Sequence, residues 1–212
     1  MSDNPARYGF RPYASRFHSG GPIPERGRLA SGYSGADVNA AHVGVGAGDV
    51  LKKVSDGTYA LAAATDAFSH VCVGVIQYWD GTVMRSNKVV PYGDGVYGSN
   101  FERETWISII PVHSYTFEVD VDDKTTATSY STYVSYIGEN LNHVNSGDTT
   151  ALRANPRLAI AGHATTNTLQ WRIVDVSPTM ENQDFSGSYV KLLVTANISQ
   201  LAAGTAGTLT GV

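Results

Sequence analysis

The sequence is poor in charge and in cysteine, and it has no long hydrophobic run. Asp, Glu, Lys and Arg make up only 16% of its 212 residues, against roughly 25% in an average soluble domain. Cys72 is the single cysteine, which excludes an internal disulfide. No stretch approaches the ~20 apolar residues of a membrane helix, and the first residues lack the apolar core of a signal peptide. We therefore expect synthesis in a reducing cytoplasm and no contact with a membrane.

Patterns for catalysis and for metal binding are also missing. The six histidines are not spaced as metal ligands. The acidic residues at 118–123 do not form a calcium loop, because Thr125 and Ser131 stand where that loop needs Gly and Glu. The glycine-rich segment 44–49 ends in Asp49, which breaks a dinucleotide-binding pattern. We expect no catalytic residue, metal or cofactor, and hence no enzyme; a glycosidase whose two carboxylates are far apart in the chain is the remaining enzymatic alternative.

The first 48 residues have the composition of an arm. Residues 1–28 carry five arginines against Asp3 and Glu25, a net charge of +3, whereas the rest of the chain carries −7. Proline and glycine recur without any period, yet large aromatic residues are frequent, unlike in a flexible linker. We predict that residues 1–48 form an extended arm that contacts a partner, with a flexible tail as the alternative. The side chains expected to make these contacts are Tyr8, Phe10, Arg11, Tyr13, Arg16 and Phe17. Direct binding of nucleic acid is not expected, because no reader motif accompanies the arginines.

From Asp49 onward the pattern changes to short strands separated by turns. Ser55-Asp56-Gly57 is a hairpin-like turn signal, and apolar and polar residues alternate strictly over 115–121, which predicts one buried face and one wet face. This spacing predicts an all-β fold, an antiparallel sandwich or barrel-like body over 49–200, followed by a tail of small residues over 201–212. The predicted strands cover residues 50–54, 58–62, 70–79, 84–91, 105–112, 115–121, 130–136, 168–176 and 188–198.

Aromatic residues at turn-like positions in the body are the remaining candidates for binding. Tyr78 and Trp79 precede Asp80-Gly81, and Tyr92 and Tyr97 flank Gly93-Asp94-Gly95. Tyrosine and tryptophan are enriched at the centres of protein interfaces, and they also form platforms for sugars. We favour a protein interface for these four residues and keep a carbohydrate-binding or adhesion module as the alternative.

Seven short segments occur along the chain in a characteristic order: 8–12 (YGFRP), 48–52 (GDVLK), 73–75 (VGV), 115–119 (YTFEV), 137–141 (IGENL), 169–175 (LQWRIVD) and 189–194 (YVKLLV). Taken in this order, they resemble the capsid decoration (cement, or head auxiliary) proteins of tailed bacteriophages. The similarity covers most of residues 8–200, while 86–103 and the tail after Gln200 are individual to this chain.

The resemblance implies a structural role without catalysis. Proteins of this family sit on the outside of the phage head, commonly as symmetric oligomers, and clamp neighbouring major capsid proteins. It therefore implies that the major capsid protein is the partner, that the chain is a homo-oligomer (dimer or trimer), and that it is located on the exterior of the virion head. Another structural protein of the head or tail is the alternative within the same class.

Overall fold

The structure, a computed structural model, describes residues 9–15, 21–30, 44–79, 82–86, 89–90, 105–122, 127–145, 155–179, 185 and 190–200. About half of these residues lie in strands, the strands pair antiparallel and helix is scarce, so the predicted all-β class is confirmed. Numbered in chain order, the elements are β1 (Arg11–Ser15), β2 (Glu25–Arg28), β3 (Val45–Gly46), β4 (Val50–Lys53), β5 (Tyr59–Leu61), β6 (His70–Trp79), β7 (Met84–Arg85), β8 (Val89–Val90), β9 (Trp106–Pro111), β10 (Tyr115–Asp120), α1 (Tyr130–Ser135), β11 (Asn140–Leu141), β12 (His143–Asn145), β13 (Pro156–Leu158), β14 (Trp171–Val176) and β15 (Lys191–Ala196).

Within the described ranges, the strands form two larger sheets and two small pairs. The first sheet has five strands in the order β1-β10-β15-β14-β11, and the second has the order β2-β9-β6-β4-β5, with β7 paired to the end of β6. The pairs β3-β8 and β12-β13 stand beside them. Short 3-10 turns at Val112–Ser114 and Ile160–Gly162 connect elements of this framework.

The second sheet closes on itself and forms a small barrel. Strand β2 pairs with β9 on one side, and Leu29, which directly follows it, bridges to Tyr59 of β5 on the other. Two backbone hydrogen bonds fix this closure: the N–H of Leu29 donates to Thr105 O at 2.9 Å, and the N–H of Ala30 donates to Tyr59 O at 2.8 Å. Gly27 faces the tight interior, where a Cβ would lie 2.8 Å from Cδ1 of Ile109. The sequence predicted either a sandwich or a barrel-like body, and this half of the fold is a barrel.

Two apolar cores result from the alternation of side chains along the barrel strands. On β4, for example, Leu51 points into the barrel and Val50 points out of it. The outer side chains pack against the first sheet and form the larger core, which is the sandwich part of the fold. Cys72 lies in the barrel core, fully buried, as its apolar surroundings in the sequence predict.

An aromatic stack occupies the larger core. The indole ring of Trp171 lies between two phenyl rings, with Phe10 stacked at 4.2 Å and Phe68 stacked at 4.4 Å between ring centroids. All three residues are buried. Because Phe10 comes from the amino-terminal segment, this stack joins that segment to the middle and the end of the chain.

The extended arm predicted for residues 1–48 is not confirmed. Where the structure describes this segment, β1 pairs with β10, with Arg11 opposite Glu118, and β2 pairs with β9. Both strands thus belong to the sheets of the body. Pro12 and a bulge between Pro12 and Ala14 interrupt the outer edge of β1, a common protection against unwanted strand pairing.

Two local predictions for the body are wrong. The segment 130–136, predicted as a strand, contains the helix α1 over Tyr130–Ser135, because Ser129 caps its first turn and Gly138, with φ +94°, follows its end. The polar face of β10 is not wet: Glu118 and Asp120 are buried. Glu118 accepts a hydrogen bond from the Ser177 hydroxyl, so its burial is compensated locally. By contrast, the hairpin around Gly57 (φ +80°) and the strand β6 are confirmed.

Candidate interaction surface

Helix α1 is short. A serine cap determines where it begins, and one buried tyrosine packs it against the core. The Ser129 hydroxyl accepts the backbone N–H of Thr132 at 3.3 Å, which satisfies a free donor of the first turn. Tyr133 points inward and is fully buried, and its hydroxyl donates to Ala127 O at 3.0 Å. Tyr130, Val134 and Ile137 are spaced as i, i+4 and i+7, so they follow one stripe beside Tyr133, and their exposure places this stripe on the outer side of α1 and of the turn after it.

This outer side is apolar. Tyr130, Val134 and Ile137 are exposed, and so is Val174 of β14, the strand against which α1 lies. We call these four residues the apolar patch; between 37% and 56% of each is accessible to solvent. They are four of the eight large hydrophobic side chains that are exposed in the described part of the chain. The exposed apolar area is thus concentrated beside α1, and such concentration is typical of an interaction site.

Polar groups lie beside the apolar patch. The His163 ring forms a short hydrogen bond with the Glu139 carboxylate, and the Tyr136 ring packs on His163 with ring centroids 3.8 Å apart. The exposed Arg172 comes close to Gly138, at the turn that follows α1. An apolar centre with charged and aromatic neighbours is the usual anatomy of a protein interface.

The residues predicted for the arm separate into buried, exposed and undescribed ones. The prediction for Phe10 is wrong in this structure, because its ring is 1% exposed and stacks on Trp171, so it stabilises the body instead of contacting a partner. Arg11 and Tyr13 do lie at the surface of the edge strand β1, where 68% of the Arg11 side chain and 47% of Tyr13 are exposed. Tyr8, Arg16 and Phe17 lie outside the described residues.

The aromatic residues predicted as an interface in the body are not brought together. Tyr78 is 3% exposed and belongs to the barrel core, so neither an interface nor a sugar platform can use its ring. The physical reason is that Tyr78 still lies within β6, which ends at Trp79, and its side chain is part of the barrel core. Trp79 is the last residue of the same strand, opposite Met84 of β7. Tyr92 and Tyr97 lie outside the described residues.

The apolar patch is the surface that the sequence analysis missed. Its signal was present: apolar residues at positions 130, 134 and 137, a serine just before them and a glycine just after them. Tyrosine, threonine and valine favour strands, and this preference outweighed the helical spacing in the interpretation of the segment. Val174 gave no separate signal, because a single apolar residue in a strand is equally compatible with the core.

Among the residues that the structure describes, no three His, Cys, Asp or Glu side chains are grouped so as to hold a metal ion. Nor do the described residues include a helix with the length and apolar character that a membrane crossing requires. No protein-family model matches this chain, and neither does any of the curated proteins or solved structures with which it was compared.

Proposed function

We propose that this chain is a structural protein of a tailed-bacteriophage virion, a capsid decoration protein that binds the outer surface of the head. In the structure, the apolar patch is the observation that supports this proposal. The resemblance of the ordered sequence segments supports the choice of a major capsid protein as the partner. In this proposal the patch is covered by a major capsid protein. The bound chain stabilises the head by holding neighbouring capsid subunits together.

The arrangement of the exposed groups suits a clamp. Arg11 and Tyr13 lie on β1, at one edge of the first sheet, and α1 lies by β14 and directly precedes β11 at the other edge. Four strand spacings separate β1 from β11, which is roughly 19 Å. A rigid sheet of this width can hold two contact surfaces apart and engage two subunits at once. Two linked contacts bind more tightly than either alone.

The apolar patch has the chemistry for the larger share of this binding. Burial of a large apolar side chain contributes up to about 1.5–3 kcal/mol, part of which is lost to the cost of association. Since each residue of the patch is only partly exposed, several of them must act together. A single substitution is therefore expected to weaken binding less than a double one.

The test is binding of the labelled chain to purified phage heads that lack it, measured by co-sedimentation. The double variant Val134→Ser, Ile137→Ser should bind at least about 30-fold more weakly, because loss of an interface hot spot costs roughly 2 kcal/mol or more. A second variant, Arg11→Ala with Tyr13→Ala, tests the contact at the opposite edge of the sheet. It should weaken binding further when combined with the first.

The matched control is Ile23→Ser with Val83→Ser. These side chains are of the same two types and are at least as exposed, 68% and 46%, but they lie elsewhere on the body. This control should bind within about threefold of the unchanged chain. If the patch variant and the control bind equally well, the patch is not the interface. If the unchanged chain does not bind heads at all, the capsid role is wrong.

A further inference from the structure

A fully buried histidine connects several parts of the larger core. His143, on β12, has both ring nitrogens engaged: the indole N–H of Trp171 donates to Nδ1 at 3.4 Å, and Nε2 donates to Ala62 O at 3.2 Å. Because Nδ1 accepts a hydrogen bond, it carries no proton, so the ring is neutral with its hydrogen on Nε2. The geometry therefore selects one tautomer and one charge state.

The neighbours of this ring are aromatic. Phe10 and Phe68 approach it edge to face, with ring centroids 6.1 and 6.3 Å away, and these are the two phenyl rings that stack on Trp171. A proton on Nδ1 would set an N–H against the N–H of Trp171 and would place a charge among these rings. Both effects oppose the packing that holds Phe10 in the core.

Few neighbouring groups could stabilise a positive charge on the His143 ring. On the 62–66 loop, the Asp66 carboxylate is the nearest opposite charge, but it already accepts from Lys52 Nζ of β4 at 2.7 Å. From β14 the contact is the Trp171 indole, and from the residue before this strand it is the Gln170 amide, whose Oε1 accepts the backbone N–H of His143. Burial accordingly lowers the pKa of His143 from 6.5 to about 4, although the Ala62 and Gln170 hydrogen bonds and the charge of Asp66 act in the opposite direction.

We propose that His143 is a pH-sensitive switch that controls the attachment of the amino-terminal strand to the body. In the neutral state, the His143–Trp171 hydrogen bond keeps the indole in place between Phe10 and Phe68. Protonation breaks this bond and loosens the stack. Phe10 leads directly into β1, which lies at the edge of the first sheet in the described part of the chain, so β1 separates from the body before the rest unfolds.

The test is hydrogen exchange of the β1 amides in the full chain at pH 7, 6 and 5, corrected for intrinsic exchange. One proton is taken up on opening, since the released histidine has a pKa near 6.5 and the buried one has a pKa of about 4. The protection of the β1 amides that are bonded to β10 should therefore fall roughly sevenfold from pH 6 to pH 5. In His143→Gln, which cannot be protonated, the protection of these amides should not change over this range.

The control is His70→Gln, which removes another buried histidine outside the aromatic stack and should leave the acid response of β1 as in the unchanged chain. A second measurement, ring ¹⁵N shifts of His143 in the unchanged chain, does not depend on the folding of any variant. The ring of the closed state should keep its neutral shifts from pH 7 to 5, while protection already falls, and Nδ1 should become protonated only at the lower pH at which β1 opens in most molecules. The proposal is overturned if His143→Gln keeps the acid response, or if His143 is protonated with β1 still protected.

Discussion

Gly9 and Gly48 lie against each other where the amino-terminal segment enters the body. The Gly48 carbonyl accepts the N–H of Phe10 at 2.9 Å, and a Cβ on Gly9 would lie only 2.5 Å from the same oxygen. Gly9 also has φ +60°, a conformation that favours glycine. This contact positions Phe10 for its stack on Trp171, so a residue without a side chain determines how a large aromatic residue is placed.

Replacement of Gly9 by alanine should therefore be strongly destabilising. The new Cβ meets backbone atoms that cannot move aside easily, and the left-handed conformation adds strain, so we expect a loss of about 2–4 kcal/mol in the free energy of unfolding. Urea denaturation measures it. Gly21→Ala is the control, because a Cβ there meets nothing within 4 Å, and it should change stability by less than about 0.5 kcal/mol. Equal effects of both variants would contradict the close contact.

Phe10→Ala distinguishes a core residue from a residue of an arm. Removal of this buried ring leaves a cavity beside Trp171, which typically costs about 3–5 kcal/mol. Tyr13→Ala, three residues later on the exposed side of β1, should cost less than about 1 kcal/mol. Thermal unfolding followed by calorimetry measures both. A Phe10→Ala protein as stable as the unchanged chain would show that the ring is not part of the core in solution.

Acid should destabilise the fold through two histidines. Burial lowers the pKa of both His70 and His143 to about 4, and for His70 the nearby positive charges of Lys53 and His113 add to this effect. Between pH 6.5 and 4 the unfolded chain binds more protons than the folded one. The free energy of unfolding therefore falls as the pH falls through this range, by up to about 3 kcal/mol per histidine, and is unaffected by these groups above it.

Urea denaturation at pH 7.5, 6, 5 and 4.5 measures this dependence. The double variant His70→Gln, His143→Gln should remove most of it, even if it is less stable at pH 7.5. Asp56 and Asp66 do not produce the same effect, because their pKa values are lowered below 3.8 and they titrate only in stronger acid. A stability that stays constant from pH 7.5 to 4.5 in the unchanged chain would refute the prediction.

Ser129→Ala tests the cap of α1 and thereby the framework of the apolar patch. Loss of the bond from the Thr132 N–H to the serine hydroxyl should cost about 1 kcal/mol. Ser135→Ala is a control in the same helix, where the hydroxyl only donates back to Thr132 O, and alanine there should be neutral or slightly stabilising. Hydrogen exchange of the α1 amides measures both. Similar protection in the two variants would rule out the cap.

The sequence predicted those strands whose signal is local. Gly57 and its flanking residues indicated the β4–β5 hairpin, and the run from His70 to Trp79 was predicted with its observed bounds. These segments combine strand-forming residues with a nearby turn. The fold class follows from many such segments, so it was predictable without knowledge of how they pair.

The amino-terminal strands were not predictable in the same way. β1 and β2 are rich in arginine and lie among prolines and glycines, and their partners β10 and β9 come much later in the chain. Nothing in the local pattern tells whether an aromatic residue such as Phe10 packs on its own body or on another subunit. Both environments are apolar, and only the long-range pairing decides between them.

The apolar patch was predictable only in part. The serine and glycine that delimit α1 can be recognised in the sequence, but helical spacing places Tyr133 beside Val134 and Ile137 and does not tell which of the three is buried. The contribution of Val174 depends on the position of β14 beside the helix. A surface assembled from two distant segments therefore becomes visible only in three dimensions.

The barrel closure at Leu29 and Tyr59 sets the order in which this chain can fold during synthesis. The second half of the barrel includes β9, so β2 leaves the ribosome long before its partner at Trp106–Pro111 exists. Such non-local pairing slows folding, typically to milliseconds or seconds. Until then, β2 lacks its partner strand on the nascent chain. The prolines, glycines and arginines around β2 are suited to this delay, because such residues are poor templates for premature association with other strands.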